Sequence, residues 1–261
     1  MLRHWVLSFV SLLCVTTQLS GESAGASMLR PLPSPGLKRF PSDILRNLRA
    51  IGTKENLPIP LAVAGAFALG DPGNMDGRTK AYFGGTRRMR ELGSAGEVLG
   101  GALVAGGGTA AILLLSRTND DERFRSTAYA LGQAVTTNAL LVTPVKLASR
   151  RERPNGENCY SFYSSHTSNA FAAAAVIDRY YGRGPSIAGY TTATLIALSR
   201  LESGKHHLSD VVTGAAIGFV VGRTVSRPRQ DGSGSRINLD LQPAPGRGFR
   251  FGLRLGPRRR G

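Results

Sequence analysis

Three short polar clusters lie in the stretch from Lys146 to Asp210, inside sequence that is otherwise rich in Ala, Gly and Val. The distances between the clusters are typical of consecutive helices joined as hairpins. Three of the chain's four histidines fall in this stretch, close to arginines. A chain that used histidine for general surface contacts would scatter it, so this concentration indicates a functional site. The clusters are residues 146–154, 164–166 and 199–210.

The sequence around these clusters predicts an all-α fold, a helical bundle of about six core helices with a small C-terminal β-hairpin. Only 7% of the 261 residues are aromatic, whereas 33 are glycine. A core of such small residues lets helices approach closely. Caps and apolar runs predict helices over residues 42–51, 61–69, 98–115, 123–148, 164–181, 186–201 and 211–225.

We divide the chain into a signal peptide (1–26), an arm with a short helix (27–57), a helical domain (58–226) and a basic hairpin and tail (227–261). In the first part a basic residue precedes an apolar run, and small residues follow at 24–26. A membrane anchor is the alternative, but the run is short for a bilayer. We therefore expect export to the periplasm or beyond, with membrane association as a further option. Cleavage would remove Cys14 and leave Cys159 without an internal disulfide partner.

Residues 98–115 are the most apolar segment and are long enough for a transmembrane helix. Half of the segment is Gly and Ala, and the mean hydropathy of the chain is only −0.09. A helix that is apolar all round also suits the middle of a bundle. We favour a buried core helix over a membrane span.

The net charge of +16 implies an anionic partner, which is nucleic acid, a membrane surface or a phosphorylated substrate. Neither zinc-finger spacing nor an aromatic-plus-basic motif supports specific nucleic-acid recognition. Residues 237–255 alternate apolar and polar side chains, which predicts a hairpin. The arginines around it are typical of a solvated basic tail.

Lys146, Arg153 and Arg200 supply three cations to the predicted pocket. A phosphoryl group in transit spreads its negative charge over three equatorial oxygens, and catalysis there is largely positioning and charge stabilisation. Arg153 directly precedes Pro154, which keeps it out of helical geometry and lets it project from the helix end. Each cation alone would be interpreted as a surface residue, but their recurrence beside the other clusters favours a phosphate site.

Ser164, Ser165 and His166 lie where a helix is predicted to begin, and the free N–H groups of a helix start bind anions. The serines can also act simply as N-caps. His206 precedes Asp210 by four residues, so the carboxylate can reach Nδ1 from the adjoining turn and leave Nε2 to attack. His166 is the candidate general acid. Crowded cations oppose a divalent ion, so neither a metal nor a cofactor is expected.

The three clusters resemble the three motifs of the type 2 phosphatidic acid phosphatase family, which also includes bacterial class A acid phosphatases and vanadium-dependent haloperoxidases. The family pattern is Lys-(six residues)-Arg-Pro, then Pro-Ser-Gly-His, then Ser-Arg-(five)-His-(three)-Asp. The first and third motifs are complete here. In the second, Tyr163 stands for Pro and Ser165 for Gly. The resemblance implies an all-α bundle with the site between central helices.

The resemblance further implies that His206 is a nucleophile that forms a phosphohistidine, with Asp210 orienting it and His166 protonating the leaving group. It assigns phosphate binding to Lys146, Arg153, Ser164, Ser165 and Arg200. The implied activity is metal-independent hydrolysis of phosphomonoesters or pyrophosphates, including lipid phosphates, at or near an anionic membrane. Two alternatives stay open: a vanadate-dependent haloperoxidase with the same pocket, and a non-enzymatic basic binding protein.

Overall fold

The computed structural model describes residues 37–53, 55–68, 74–83, 101 and 103–227, and, in a separate unit, 236–244 and 248–256. The predicted signal peptide lies outside the described residues. The described part of the first unit is mostly helical, which confirms the all-α prediction. Its helices are α1 (Phe40–Ile51), α2 (Pro58–Ala68), α3 (Met75–Phe83), α4 (Thr109–Leu115), α5 (Glu122–Ser149), α6 (Ser165–Tyr181), α7 (Arg183–Glu202) and α8 (Leu208–Val225).

Helix α6 is central and packs against α5, α7 and α8. Its contact with α8 depends on Gly214, Gly218 and Gly222, which recur every four residues and so share one helix face. A Cβ atom at Gly214 would lie 2.7 Å from the Ser164 carbonyl oxygen, and the other two glycines face α6 carbonyls in the same way. The two backbones therefore pack closely, and the start of α8 is held beside the start of α6.

Small side chains fill the core on both sides of α6, as the composition predicts. One apolar cluster joins α1, α5, α6 and α8, and a second joins α3, α6, α7 and α8. Burial of this apolar surface is the main favourable contribution to folding. The first cluster contains Ile51, Ala130, Ala134, Ala172, Val176, Val220, Val221 and Val225, and the second contains Phe83, Phe171, Ala193, Ala197, Leu201, Val211 and Ala215.

Helix starts near the polar clusters differ in part from the prediction. Ser164 caps α6 as predicted, because its side chain accepts the Thr167 N–H. Helix α7 begins at Arg183 rather than 186, since Pro185 is tolerated in a first turn. Helix α8 begins at Leu208, because His207 is the N-cap and Asp210 returns a hydrogen bond to it in a capping box. The prediction that this helix begins at residue 211 is therefore wrong.

The interpretation of residues 98–115 as a buried core helix is wrong for the described part of that segment. Leu114 and Leu115 of α4 expose 61% and 62% of their surface. Among the described residues, α8 is long and apolar enough to cross a bilayer, and 67% of it is buried inside the protein. A helix in a protein core meets the same criterion, so α8 does not by itself show a membrane span.

Residues 227–261 form a unit of their own. Within it, β1 (Arg236–Ala244) pairs antiparallel with β2 (Gly248–Gly256), with Arg236 opposite Gly256. An isolated two-stranded hairpin is marginally stable in water. The hairpin is therefore not confirmed as a stable element and stays a prediction.

Candidate active site

The loop between α5 and α6, residues 150–164, folds back and meets the loop that follows α7. Arg150 ends α5 in a left-handed conformation, with a φ angle of 44° and its N–H bonded to the Lys146 carbonyl. The Ser161 N–H donates to the Arg151 carbonyl at 3.0 Å, and the Asn155 N–H donates to the Gly204 carbonyl at 2.9 Å. These contacts place the backbone of Ser161 beside the loop that carries His206.

His206 is 4% exposed, and its Nδ1 lies 2.7 Å from the Ser161 carbonyl oxygen. A carbonyl only accepts hydrogen bonds, so Nδ1 carries the hydrogen and the neutral ring keeps a lone pair on Nε2. The sequence assigned this contact to Asp210. In the structure the nearest Asp210 oxygen, Oδ2, is 3.8 Å from Nδ1, within ion-pair range. Burial lowers the pKa of His206, and the charge of Lys146 adds to the effect against the opposing influence of Asp210.

Asp210 is fully buried and its carboxylate is surrounded by donors. Oδ1 accepts from Arg151 Nη1 at 2.7 Å, while Oδ2 accepts from the His207 N–H at 2.8 Å and from the Ser161 hydroxyl. Burial alone would raise the pKa of Asp210, but the neighbouring His206 ring, the hydrogen bond from Ser161 and the charge of Arg151 outweigh it. The pKa of Asp210 is therefore below its ordinary value, and the group is an anion at neutral pH.

Lys146 and Arg153 lie close enough to influence one another. Lys146 Nζ donates to the Tyr160 carbonyl at 2.6 Å. Burial lowers the pKa of Lys146 to about 8, the Arg153 charge acts in the same direction, and Asp210 opposes both. Arg153 Nη1 pairs with Glu157 at 2.9 Å, and its Nε is buried with no hydrogen-bond partner in the part of the chain that the structure describes. A buried N–H of this kind is available to a phosphate oxygen.

Ser164, Ser165 and His166 lie at the start of α6, as predicted. The Ser164 hydroxyl accepts from the Thr167 N–H at 3.4 Å and from the Thr167 hydroxyl at 3.0 Å, so it acts as the helix cap. The Ser164 N–H donates to the Asp210 carbonyl at 3.1 Å. Ser165 and His166 are partly buried in the first turn. The start of α6 therefore lies directly against the turn that carries Asp210.

Arg200 lies in the last turn of α7 and is 1% exposed. Its carbonyl accepts the N–H groups of Lys205 and His206 at 3.2 and 3.3 Å, so the loop after α7 bends back onto the helix. Arg200 and His206 are thus tied together through the backbone.

A cavity of about 130 Å³ reaches His206 from the side of α3 and the loop after α7. Of the eight predicted site residues, only His206 lines it. Acidic and basic side chains both line the cavity, which suits a polar ligand. The lining residues are Asp76, Thr79, Lys80, Pro154, Asn155, Leu201, Glu202, Gly204, His206, His207 and Leu208.

The middle of this chain is similar to a known protein family. Residues 127–231 match the PAP2 superfamily. This part of the chain is a PAP2 superfamily domain. The domain contains all eight predicted site residues, and the predicted family resemblance is confirmed.

One known protein and one solved structure are similar to this chain. The Lipid A 1-phosphatase of Porphyromonas gingivalis is 42% identical over 96 residues, which are 36% of this chain and 21% of that protein. The chain thus spans about a fifth of that relative's length. A crystal structure of a transmembrane PAP2 type phosphatidylglycerolphosphate phosphatase from Bacillus subtilis aligns with a TM-score of 0.45 at 20% identity, over 72% of this chain and 92% of that chain. The family and the first relative support the predicted phosphatase.

Sequence reasoning missed Ser161, Arg151 and Asp76, which contact the predicted residues. Ser161 and Arg151 belong to the PAP2 domain, and Arg151 lies inside the first motif at a position the motif leaves variable. Asp76 lies outside the domain, 75 residues from the arginine that it contacts. No pattern in the sequence links the two, so only the fold could reveal the contact.

Proposed function

We propose that this chain is a metal-independent phosphatase that acts on phosphomonoesters or pyrophosphates through a phosphohistidine on His206. The observation that carries the proposal is the 2.7 Å contact between His206 Nδ1 and the Ser161 carbonyl oxygen, which leaves Nε2 as the unprotonated ring nitrogen. Burial lowers the pKa of His206, so the ring stays neutral to a lower pH than an ordinary histidine does. A neutral, oriented imidazole is the form that can attack phosphorus.

In the proposed reaction, the Nε2 lone pair of His206 attacks phosphorus, and the bond from phosphorus to the leaving oxygen breaks. His166 gives its proton to that oxygen, so the first product leaves as an alcohol or a phosphate. Water then attacks the phosphohistidine, its proton passes to His166, and the P–N bond breaks to regenerate His206. Asp210 stabilises the positive charge that the ring carries during the reaction.

The phosphate oxygens in this proposal are held by the side chains of Lys146, Arg153 and Arg200 and by the start of α6 at Ser164 and Ser165. Three cations and the positive end of the helix dipole at the start of α6 match the charge of a phosphoryl group in transit. The buried Nε of Arg153 supports its part in this set. The pKa of Lys146, which burial lowers to about 8, still leaves it protonated at neutral pH.

We further propose a lipid phosphate as the substrate and an anionic membrane surface as the place of work. The matched relative is named for a lipid phosphate, and the net charge of +16 favours a negatively charged surface. Export of the chain and the hairpin of residues 227–261 remain part of the same proposal. These finer points go beyond the family match.

The test is phosphate release from a chromogenic phosphomonoester and from vesicles containing a lipid phosphate, by the full chain with EDTA present. We expect turnover that survives EDTA and is blocked by vanadate, which occupies the phosphate site. Hydrolysis that needs an added divalent ion would overturn the metal-independent mechanism. Halide oxidation in vanadate and peroxide, without any hydrolysis, would replace the proposal with a haloperoxidase.

A further inference from the structure

Arg151 lies between two carboxylates that come from different helices. Nη1 donates to Asp210 Oδ1 and Nη2 donates to Asp76 Oδ2, both at 2.7 Å. Nη1 also donates to the Ser209 hydroxyl at 2.6 Å. The guanidinium therefore uses both arms of its planar fork, which the single ammonium group of a lysine could not reproduce.

Asp76 fixes the far side of this arrangement from α3. It accepts the Ser209 N–H at 2.9 Å and the Ser209 hydroxyl at 2.7 Å, while it also binds Arg151. Ser209 directly precedes Asp210, so Asp76 holds Arg151 and the first turn of α8 at the same time. Because Asp76 lies outside the PAP2 domain, this anchor is separate from the three family motifs.

Arg151 can influence His206 because Asp210, which Arg151 contacts, lies close to the His206 ring. A carboxylate 3.8 Å from Nδ1 favours the charged imidazolium. An imidazolium carries a proton on Nε2 and has no lone pair to attack phosphorus. A guanidinium on the other oxygen of the same carboxylate offsets part of that field. The Arg151 side chain is 34% exposed, so water screens its charge and the effect on His206 is moderate.

Other charges near His206 do not duplicate this contact. Lys146 also disfavours the imidazolium, but from another position: its Nζ donates to the Tyr160 carbonyl, whereas Arg151 contacts the Asp210 carboxylate itself. Among the residues that the structure describes, the charged and titratable groups that face His206, its carboxylate partner or its cavity include Asp76, Lys80, Lys146, Arg151, Glu202, His207 and Asp210.

We propose that Arg151 is a positioning residue which, shared between Asp76 and Asp210, offsets the charge of Asp210 and so keeps His206 neutral and oriented for attack. The proposal rests on the proposed function, because it concerns the nucleophile of that reaction. Arg151 does not touch the substrate in this scheme. It acts on His206 through Asp210.

The experiment is a pH titration of the His206 ring nitrogens by NMR on the full chain, beside the pH profile of kcat/KM. Arg151→Gln should raise the pKa of His206 by about one unit and move the acidic limb of the profile upward with it. Asp76→Asn should shift both in the opposite direction: its amide oxygen can still accept from Arg151, but the competing negative charge is gone, so more of the guanidinium charge acts on Asp210. Arg150→Gln is the matched control, since this exposed neighbour makes no side-chain hydrogen bond or ion pair within the described residues.

Opposite shifts in the two variants, with none in the control, would support the proposal, because a merely structural role does not change sign. An unchanged His206 pKa in folded Arg151→Gln would overturn it, and so would a shift of both variants in one direction. If Arg151→Gln does not fold, Asp76→Asn decides alone: a lowered pKa supports the proposal, and an unchanged or raised one overturns it. Arg151→Lys should restore the His206 pKa but not kcat, because it keeps the charge and loses the fork.

The titration separates this proposal from the proposed function. It measures the proton on His206 in the resting protein and needs no turnover. A wild-type chain that releases no phosphate would count against the function, while the His206 shifts would still test the role of Arg151.

Discussion

The Nδ1 atom of His206 lies 2.7 Å from the carbonyl oxygen of Ser161, and 3.8 Å from the nearest oxygen of Asp210. A backbone carbonyl cannot take up a proton at neutral pH, so the hydrogen on Nδ1 is held there whatever the state of the carboxylate. The tautomer of the proposed nucleophile is thus set by the loop between α5 and α6. Asp210 contributes charge rather than the hydrogen bond that fixes the ring.

Replacement of His206 should abolish turnover and leave the fold intact. His206→Ala removes the proposed nucleophile, so we expect kcat to fall by about 10⁴-fold or more. His207→Asn is the matched control, because asparagine can still cap α8 and the neighbouring nucleophile is untouched. Phosphate release and the circular dichroism spectrum should be measured for both variants. Full activity in His206→Ala would exclude the phosphohistidine mechanism.

Phosphate affinity should decline as the pH rises through about 8. Burial lowers the pKa of Lys146 to about 8, so its ammonium is present below that pH and lost above it. The inhibition constant for phosphate or vanadate, measured from pH 6 to 10, should therefore rise as the pH passes through about 8. Lys146→Arg stays charged and should remove this limb from the profile. An inhibition constant that stays flat through pH 9 in the wild type would place Lys146 outside the phosphate site.

The free energy of unfolding should fall as the pH drops below 6.5. Burial lowers the pKa of His206 from its ordinary value of 6.5, so the unfolded chain binds a proton in acid that the folded chain does not. Asp210 acts at lower pH: its stabilising contribution, present above 3.8, is lost as the pH falls through its lowered folded pKa. Urea unfolding of wild type and His206→Gln at several pH values tests this. The variant should lose less stability between pH 6.5 and 5, and His207→Gln serves as the control. Parallel curves for wild type and His206→Gln would contradict the prediction.

The close contact between α6 and α8 should tolerate no added methyl group. Gly218→Ala would drive a Cβ atom into the Ser168 carbonyl, and we expect it to destabilise the fold by about 1–3 kcal/mol. Gly184→Ala is the control, since a Cβ atom there meets open space and should change stability by less than about 0.5 kcal/mol. Denaturant unfolding of both variants measures the difference. Equal free energies of unfolding for the two variants would show that α6 and α8 can move apart without a cost in stability.

Much of the helical framework could be predicted because its signals are local. Ser164 accepts the N–H of Thr167 three residues on, and the acidic start and apolar run of α5 extend over one continuous segment. The predicted start of α8, residue 211, is three residues late because histidine is not among the usual N-cap residues. The prediction that the segment ending in Leu114 and Leu115 is buried is also wrong, because composition does not say which face of a helix meets a neighbour.

The sequence by itself predicted the family resemblance and the set of candidate site residues, because three motifs with fixed spacing, from Lys146 to Asp210, are properties of the chain's order. Only the tertiary structure decided which atoms meet. The contact of His206 with the Ser161 backbone and the bridge from Asp76 to Arg151 join segments 45 and 75 residues apart. The pKa of Lys146, which burial lowers to about 8, likewise depends on what packs around it. Hydrogen bonds and desolvation act over a few ångströms in space, and that distance is set by packing rather than by position in the chain.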